Sequence, residues 1–264
     1  METLRLPEKI RRIILESEYK IDNIGMSDSS VLILEDKVLK IQECSEEAEN
    51  EYRMMLWLRG KVNIPRVLEY EIMEGKAYLL MSKCSGEMAC TQQYMKQPVM
   101  QARLLANGLK QLWKVDVSEC PSDWRLEHKL AIAKSNVENG LVDIEDAQPD
   151  TFGEDGFKNP EELLQWLYDN QPEEELVLSH GDFCLPNVFG EDEDISGYID
   201  LGRTGLADKW CDIALCYRSL RDNYSGKYKS TFCSDYDDLL LFRELCIEPD
   251  WEKIRYYILL DELF

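Results

Sequence analysis

Between Leu176 and Arg203 the chain has to make a buried strand, give way to a run of polar residues and re-enter the core. That sequence of demands limits what the rest can be. Leu176-Val177-Leu178 is a short apolar run with the character of a buried strand. Ser179-His180-Gly181-Asp182 follows at once, so polar groups stand where the strand ends. Asn187 comes five residues after Asp182, Val188-Phe189 is apolar again, and Glu191 to Asp194 forms an acidic turn. Ile195 to Ile199 returns to the core and ends at Asp200, with Gly202 two residues on. Strand, polar loop, short strand, turn and strand place an Asp and an Asn on one loop and a second Asp at the end of the returning strand, able to converge on one point.

Such a trio suits phosphoryl transfer. The chemistry needs a carboxylate to orient or deprotonate an acceptor hydroxyl, and hard oxygen ligands for a magnesium ion that bridges phosphates. Asp182 fits the first role; Asn187 and Asp200 fit the second. The spacing H-x-D-x-x-x-x-N with a later D-x-G matches the kinase signature in outline. The plain alternative is a pair of exposed turns in a chain rich in carboxylates.

The segments HGDFCLPNVF (180–189) and GYIDLGRTGLADKWCDIALCYRS (197–219) resemble the catalytic and metal-binding segments of aminoglycoside phosphotransferases, most nearly the 3'-phosphotransferases acting on kanamycin and neomycin. The resemblance extends over nearly the whole chain, through GMS at Gly25 to Ser27, MMLWLRG at Met54 to Gly60 and the terminal DWEKIRYYILLDELF.

It adds meaning to residues that are weak signals alone. The small-residue turn Gly25 to Ser30 can present backbone N–H groups to phosphate, yet it is neither GxGxxG nor GxxxxGK. The family has its nucleotide-positioning loop here, with Ser27 matching its serine. Lys40 lies between Leu39 and Ile41, so strand alternation puts it on the face opposite theirs. On pattern alone it is a solvated strand lysine; the resemblance makes it the lysine that contacts the phosphates, with Glu51 as its partner on the following helix. The resemblance also places the adenine base against the crossover after the second hairpin, lined by Met81, Ser82 and Cys84, with Phe189 and Ile199 as further nucleotide contacts. Close relatives carry an aromatic residue two positions before the lysine, where this chain has Val38, so stacking on the base should be weaker and the donor is ATP or GTP.

On the acceptor side the family binds its cationic substrate with its C-terminal ending, the terminal carboxylate included, which implies Asp261, Glu262 and Phe264. Arg203 is expected to contact a carboxylate or help position the acceptor, and Asp212 to brace the catalytic loop. The acidic stretch Asp143 to Gly156 is either a solvated loop or one wall of a polyamine site; it departs from the relatives and has no residue-by-residue match.

Composition narrows the partners. There are 52 acidic residues against 30 basic, a formal net charge of −22. That argues against nucleic acid or an anionic membrane and is compatible with a cationic small molecule. No apolar run approaches the ~20 residues of a membrane span, and the first residues lack the apolar segment of a signal peptide. Nine cysteines without paired C-x-x-C spacing, and only two histidines, suggest free thiols in a reducing cytosol and no zinc site. A cytoplasmic monomer or weak dimer is expected.

The remaining pattern predicts a first helix over 7–17, strands over 19–24, 31–34 and 38–41, and a helix over 48–58 with Tyr52, Met55, Leu56 and Trp57 as its apolar stripe. A hairpin over 67–73 and 76–81 follows. From Gly86 the chain turns helical: 99–113, 125–137 with His128 on its surface, a helix opening at Asn159-Pro160, one from about Leu206 to Leu220, one over 224–245, and a last from Pro249 to Leu260. With the resemblance, this pattern leads to the expectation of an α+β, two-lobed kinase-like protein: a nucleotide-binding lobe with a small antiparallel sheet over 1–83, and a larger, mainly helical catalytic and substrate-binding lobe over 84–264. The alternatives are a kinase-like protein acting on another small cationic acceptor, a nucleotide-binding protein with little catalysis, and a regulatory scaffold.

Overall fold

The structure is a computed structural model and describes residues 5–14, 20–22, 30–154, 156–227 and 236–264. The turn at Gly25 to Ser30, with Ser27, lies almost wholly outside them.

The first half builds a sheet. After α1 (Glu8–Ile14) come β1 (Lys20–Asp22), β2 (Ser30–Ile33) and β3 (Lys37–Glu43), then α2 (Glu46–Leu58), β4 (Val67–Met73) and β5 (Lys76–Ser82). The strands pair antiparallel in the order β1-β2-β3-β5-β4. One face carries Leu39 and Ile41 of β3 and Tyr78 and Leu80 of β5, packed with Ile10 and Ile14 of α1 into a small separate core. The other face carries Leu79 and Met81, which join Met54, Met55 and Leu58 of α2. Lys40 is paired in register with Leu79, so it looks toward α2 and not toward α1.

Helix α2 starts where Ser45 Oγ accepts a hydrogen bond from Ala48 N at 3.1 Å, and Glu46, Glu47 and Glu49 fill its first turn, at the positive end of the helix dipole. Its inward stripe is Glu51, Met54, Met55 and Leu58, spaced i, i+3, i+4, i+7. The predicted stripe is rotated from this. Leu56 is half exposed, while Tyr52 stacks on Tyr70 at 4.1 Å and Trp57 lies under Lys61, both at the edge of the core. The buried polar residues Asn50 and Glu51 fix the rotation, because their partners lie inside.

A two-residue strand, β6 (Glu87–Met88), comes before the first helix of the large layer, so the chain does not turn helical at Gly86. Then come α3 (Gln92–Met95), α4 (Pro98–Trp113), α5 (Leu126–Glu138), α6 (Pro160–Asp169), β7 (Leu176–Ser179), β8 (Val188–Glu191), β9 (Asp194–Tyr198), β10 (Gly205–Asp208), α7 (Lys209–Tyr224), α8 (Leu240–Leu245) and α9 (Trp251–Asp261). Helix α4 runs through the middle, with Leu104, Leu105, Leu109 and Leu112 buried in the main core. His128 is half-buried, edge-on to Trp124, with its Nε2 3.3 Å from Glu46 of α2, and is not a plain surface residue.

Two helix predictions change. Residues 206–208 belong to β10, paired antiparallel with β7, and α7 begins only after Asp208, whose Oδ1 accepts from Trp210 N at 3.2 Å. Residues 224–245 are not one helix: α7 stops at Tyr224, Gly226 takes φ +82°, and α8 starts at Leu240. Asn159 caps α6 by accepting from Glu162 N at 2.9 Å, and Asp250 caps α9 by accepting from Lys253 N at 3.0 Å. Among the described residues every cysteine is a free thiol, and no helix is long and apolar enough to cross a membrane.

Candidate active site

The loop after β7 is held from three sides. Asp212, fully buried in the first turn of α7, accepts from His180 N at 2.7 Å and Gly181 N at 2.9 Å. Burial pushes its carboxyl above the usual range, and those N–H donors and nearby His180 oppose the shift. Thr204 Oγ1 donates to His180 O at 2.8 Å. Gly181 takes φ +85°, and a Cβ there would stand 2.1 Å from Arg203 O, so only glycine fits this approach of two loops.

The next residue is Asp182, half-buried, with its N–H donating to His180 Nδ1 at 3.3 Å. A single 3-10 turn, Leu185–Asn187, then brings Asn187 back onto it. Asn187 Nδ2 donates to Asp182 Oδ2 at 2.8 Å and to Asp182 O at 3.0 Å, while Asn187 O accepts from Ile199 N at 3.0 Å. The side-chain amide of Asn187 thus donates only to Asp182 among the described residues, while its backbone N–H donates to Cys184 O at 3.0 Å; its side-chain oxygen is of the type that can face a cation.

Asp200 follows β9 with φ +60°, a left-handed conformation that costs a non-glycine residue on the order of 1 kcal/mol. Glu74, Asp192 and Cys246 take similar angles, so what distinguishes Asp200 is its bond to the buried Lys40. Lys40 Nζ donates to Asp200 Oδ1 at 2.7 Å and to Glu51 Oε2 at 2.9 Å; Gln42 Nε2 also reaches Glu51 Oε2, at 3.2 Å. Burial works against the Lys40 charge, but the two carboxylates outweigh it and hold the ammonium above its ordinary range. Partial burial works against the Asp200 charge, and Lys40 overcomes it, holding the carboxyl below its ordinary range. Glu51 is raised because burial, with Asp200 adding, exceeds what Lys40 returns. One oxygen of Asp200 accepts from Lys40; its other oxygen and Asn187 Oδ1 are hard donors of the type magnesium takes, an ion that draws further ligands from phosphate and water.

The crossover leaves β5 at Ser82 and lies against the β8–β9 hairpin, where Ser196 Oγ donates to Ser85 O at 2.6 Å. Val38 is the register partner of Met81. Ser82 Oγ accepts from Arg66 N at 2.8 Å, so its hydroxyl is engaged. Cys84 packs on Gly197, and burial pushes its thiol up to about 12. Phe189 is half-buried opposite Gly197, and Ile199 is half-buried just before Asp200.

The predicted acceptor residues also gather, in company the sequence does not announce. Asp261 Oδ1 accepts from Arg203 Nη1 at 3.4 Å and its Oδ2 from Arg218; Arg218 Nη1 is 3.5 Å from Glu262. Arg203 Nε donates to Glu47 Oε1 of α2 at 2.9 Å, and its guanidinium sits 4.8 Å from the centre of the Phe264 ring. Burial would raise Asp261, but Arg218 and Arg203 hold it low; burial wins at Glu262, which is raised against Arg218. Asp261 and Glu262 are therefore already paired with arginines. Gly181, Arg203, Asp261 and Phe264 line one small cavity, which puts the C-terminus beside the loop of Asp182. The acidic stretch joins this region through neutral Gln148, whose N–H donates to Glu262 Oε2 at 3.1 Å, whereas Asp143 accepts from Glu145 N and Asp146 N in its own turn. Arg218 and Glu47 escape a sequence reading because each is an ordinary charged residue on a helix.

A model of the family described as "Phosphotransferase enzyme family" matches residues 18–257. An aminoglycoside 3'-phosphotransferase of Enterococcus faecalis is 39% identical over 100% of both chains, and one of Staphylococcus aureus 38% over 100% of both. Among solved structures, an aminoglycoside-3'-phosphotransferase of type VIII is similar with a TM-score of 0.78 at 28% identity, covering 94% of each chain. An aminoglycoside phosphotransferase of Streptomyces rimosus shares the fold with a TM-score of 0.81 at 22% identity, covering 96% of this chain and 95% of the other.

Proposed function

Because the chain belongs to the phosphotransferase enzyme family, we propose that it moves the γ-phosphoryl group of a nucleoside triphosphate to a hydroxyl of an aminoglycoside, the 3'-hydroxyl, and so inactivates the antibiotic. The observation that carries this reading is two hydrogen-bonded pairs, Lys40 with Asp200 at 2.7 Å and Asn187 with Asp182 at 2.8 Å, linked where Ile199 N, next to Asp200, donates to Asn187 O at 3.0 Å. It is supported by relatives that match the full chain and are named aminoglycoside 3'-phosphotransferases.

In this reading the lobe boundary falls at 83/84 and the nucleotide lies along the crossover of Met81, Ser82 and Cys84, with Phe189 and Ile199 as further contacts and Ser27, outside the described residues, contributing on the phosphate side. Lys40, held by Glu51, neutralises phosphate oxygens. Asn187 and Asp200 would hold magnesium, which supplies charge neutralisation at the phosphates. Asp182 orients the acceptor hydroxyl and takes its proton. Asp261, Glu262 and the terminal carboxylate of Phe264 face the amines. Since Arg203 and Arg218 already pair with Asp261, an incoming ammonium group competes with guanidinium there, and the α-carboxylate is the strongest free partner.

The test is a coupled nucleotide-turnover screen with magnesium, ATP and GTP side by side, against a panel of aminoglycosides with and without a 3'-hydroxyl. Turnover is expected only with acceptors that carry that hydroxyl. Turnover with other polyamines and none with aminoglycosides would move the protein to a different cationic acceptor, and no turnover at all would leave a nucleotide-binding protein.

Deleting Phe264 is expected to raise KM for the amine substrate about tenfold, the equivalent of one charge-assisted pair of ~1.5 kcal/mol or more, with nucleotide KM nearly unchanged. The deletion shifts the α-carboxylate back by a residue and removes the ring under Arg203. The effect should shrink with added salt, since the Debye length is ~8 Å at physiological ionic strength. Equal amine KM in both forms across a salt series would remove the terminus from the site.

A further inference from the structure

Helix α2 meets the large layer with three polar residues, Glu47, Asn50 and Glu51, spaced i, i+3 and i+4 and therefore on one face. All three engage the five residues 200–204 that follow β9. Glu51 reaches Asp200 through Lys40, and Glu47 accepts from Arg203 Nε at 2.9 Å. Between them, Asn50 Nδ2 donates to Gly202 O at 2.8 Å and to Thr204 O at 2.9 Å. Asn50 is wholly buried, and its Oδ1 accepts from Arg53 Nη2 at 2.9 Å, so both amide hydrogens and the carbonyl oxygen are in use.

We infer that Asn50 is a positioning residue for the phosphate-side lysine: it clasps α2 to the 202–204 loop and thereby sets where Glu51 holds Lys40 relative to Asp200. Three features separate its part from that of its neighbours. The Glu47–Arg203 pair is partly open, with side chains 42% and 25% exposed, and solvent and salt weaken it. The Asn50 bonds end on backbone carbonyls of buried residues that would otherwise be left unpaired. Thr204, one of its two partners, also donates from Oγ1 to His180 O, so the same clasp continues into the loop that carries Asp182. The approach is close: a Cβ on Gly202 would meet Glu47 Cβ at 3.2 Å and Glu47 O at 3.3 Å.

The inference rests on the reading that Lys40 serves the nucleotide phosphates, and a double-mutant cycle tests the two separately. Steady-state kcat is measured for wild type, Lys40→Ala, Asn50→Ala and the double variant, with KM for the amine acceptor and a thermal melt for each. Asn50→Ala is expected to lower kcat about tenfold in wild type, leave acceptor KM within about twofold, and change the residual kcat of Lys40→Ala by less than about twofold, because contacting groups that act through one another are non-additive. Gly202→Ala, which removes no donor but pushes α2 outward, should repeat that pattern and decides the question if Asn50→Ala does not fold. An equal fold-loss in both backgrounds would make Asn50 a structural residue only, and a folded Asn50→Ala that keeps more than about half of kcat would also overturn the inference. If Lys40→Ala is as active as wild type, the lysine assignment fails and takes this inference with it.

Discussion

Replacing Asp182 with alanine is expected to lower kcat by about 10² to 10⁴, the range for loss of a positioned general base, with nucleotide KM nearly unchanged. Asp182 stands on a loop braced through Asp212 and Thr204 from behind, so its removal leaves the backbone around it held. Alanine also frees Asn187 Nδ2 from Asp182 Oδ2, which mixes a positional effect into the result. Asp182→Asn separates the two: its amide oxygen still accepts from Asn187, but it cannot take the acceptor proton. A comparable fall in both variants, with unchanged melting temperatures, assigns the loss to proton acceptance. Either variant retaining more than about half of kcat would sink the role.

Asp200→Asn is expected to reduce kcat by about 10²-fold, as for loss of a preorganised electrostatic group, and to raise the magnesium concentration needed for half-maximal turnover about tenfold, as for one charge-assisted contact. Asparagine suits this test because it tolerates the left-handed region better than most residues, so the φ of +60° adds little backbone penalty. What changes is charge. The side chain stops balancing Lys40, which then keeps Glu51 as its one carboxylate among the described residues, and it stops offering an anionic oxygen to the metal. Titrating magnesium against turnover and against nucleotide binding checks both effects. An unchanged magnesium dependence would remove Asp200 from the metal site.

Much of this was legible in the chain. The strand ahead of His180, the loop to Asn187, the hairpin back to Asp200 and the cap at Asn159 all follow from local rules, because apolar runs, turn residues and cap residues act within a few positions of themselves. Lys40 is the boundary case. Alternation opposed it to Leu39 and Ile41, but whether that face held water or a carboxylate depended on Glu51, eleven residues on, and Asp200, 160 residues on. The stripe of α2 was misjudged for a related reason. Leu56 looks like core by composition, yet the helix is turned so that Asn50 and Glu51 face inward, and buried hydrogen bonds to distant partners outrank one leucine's burial.

The amino-acid order alone determined the α+β class, the kinase-like spacing of Asp182, Asn187 and Asp200, and the placing of Lys40 opposite its apolar neighbours, since each depends on periodicity or spacing along a short stretch. Only the tertiary structure decided that Asp261 is held by Arg203 and Arg218 and that Asn50 binds α2 to residues 202 and 204. These are pairings between single polar groups far apart in the chain. A buried donor must find an acceptor, but many acceptors satisfy that demand equally, and only the packed arrangement of helices and strands selects which one lies within hydrogen-bond reach.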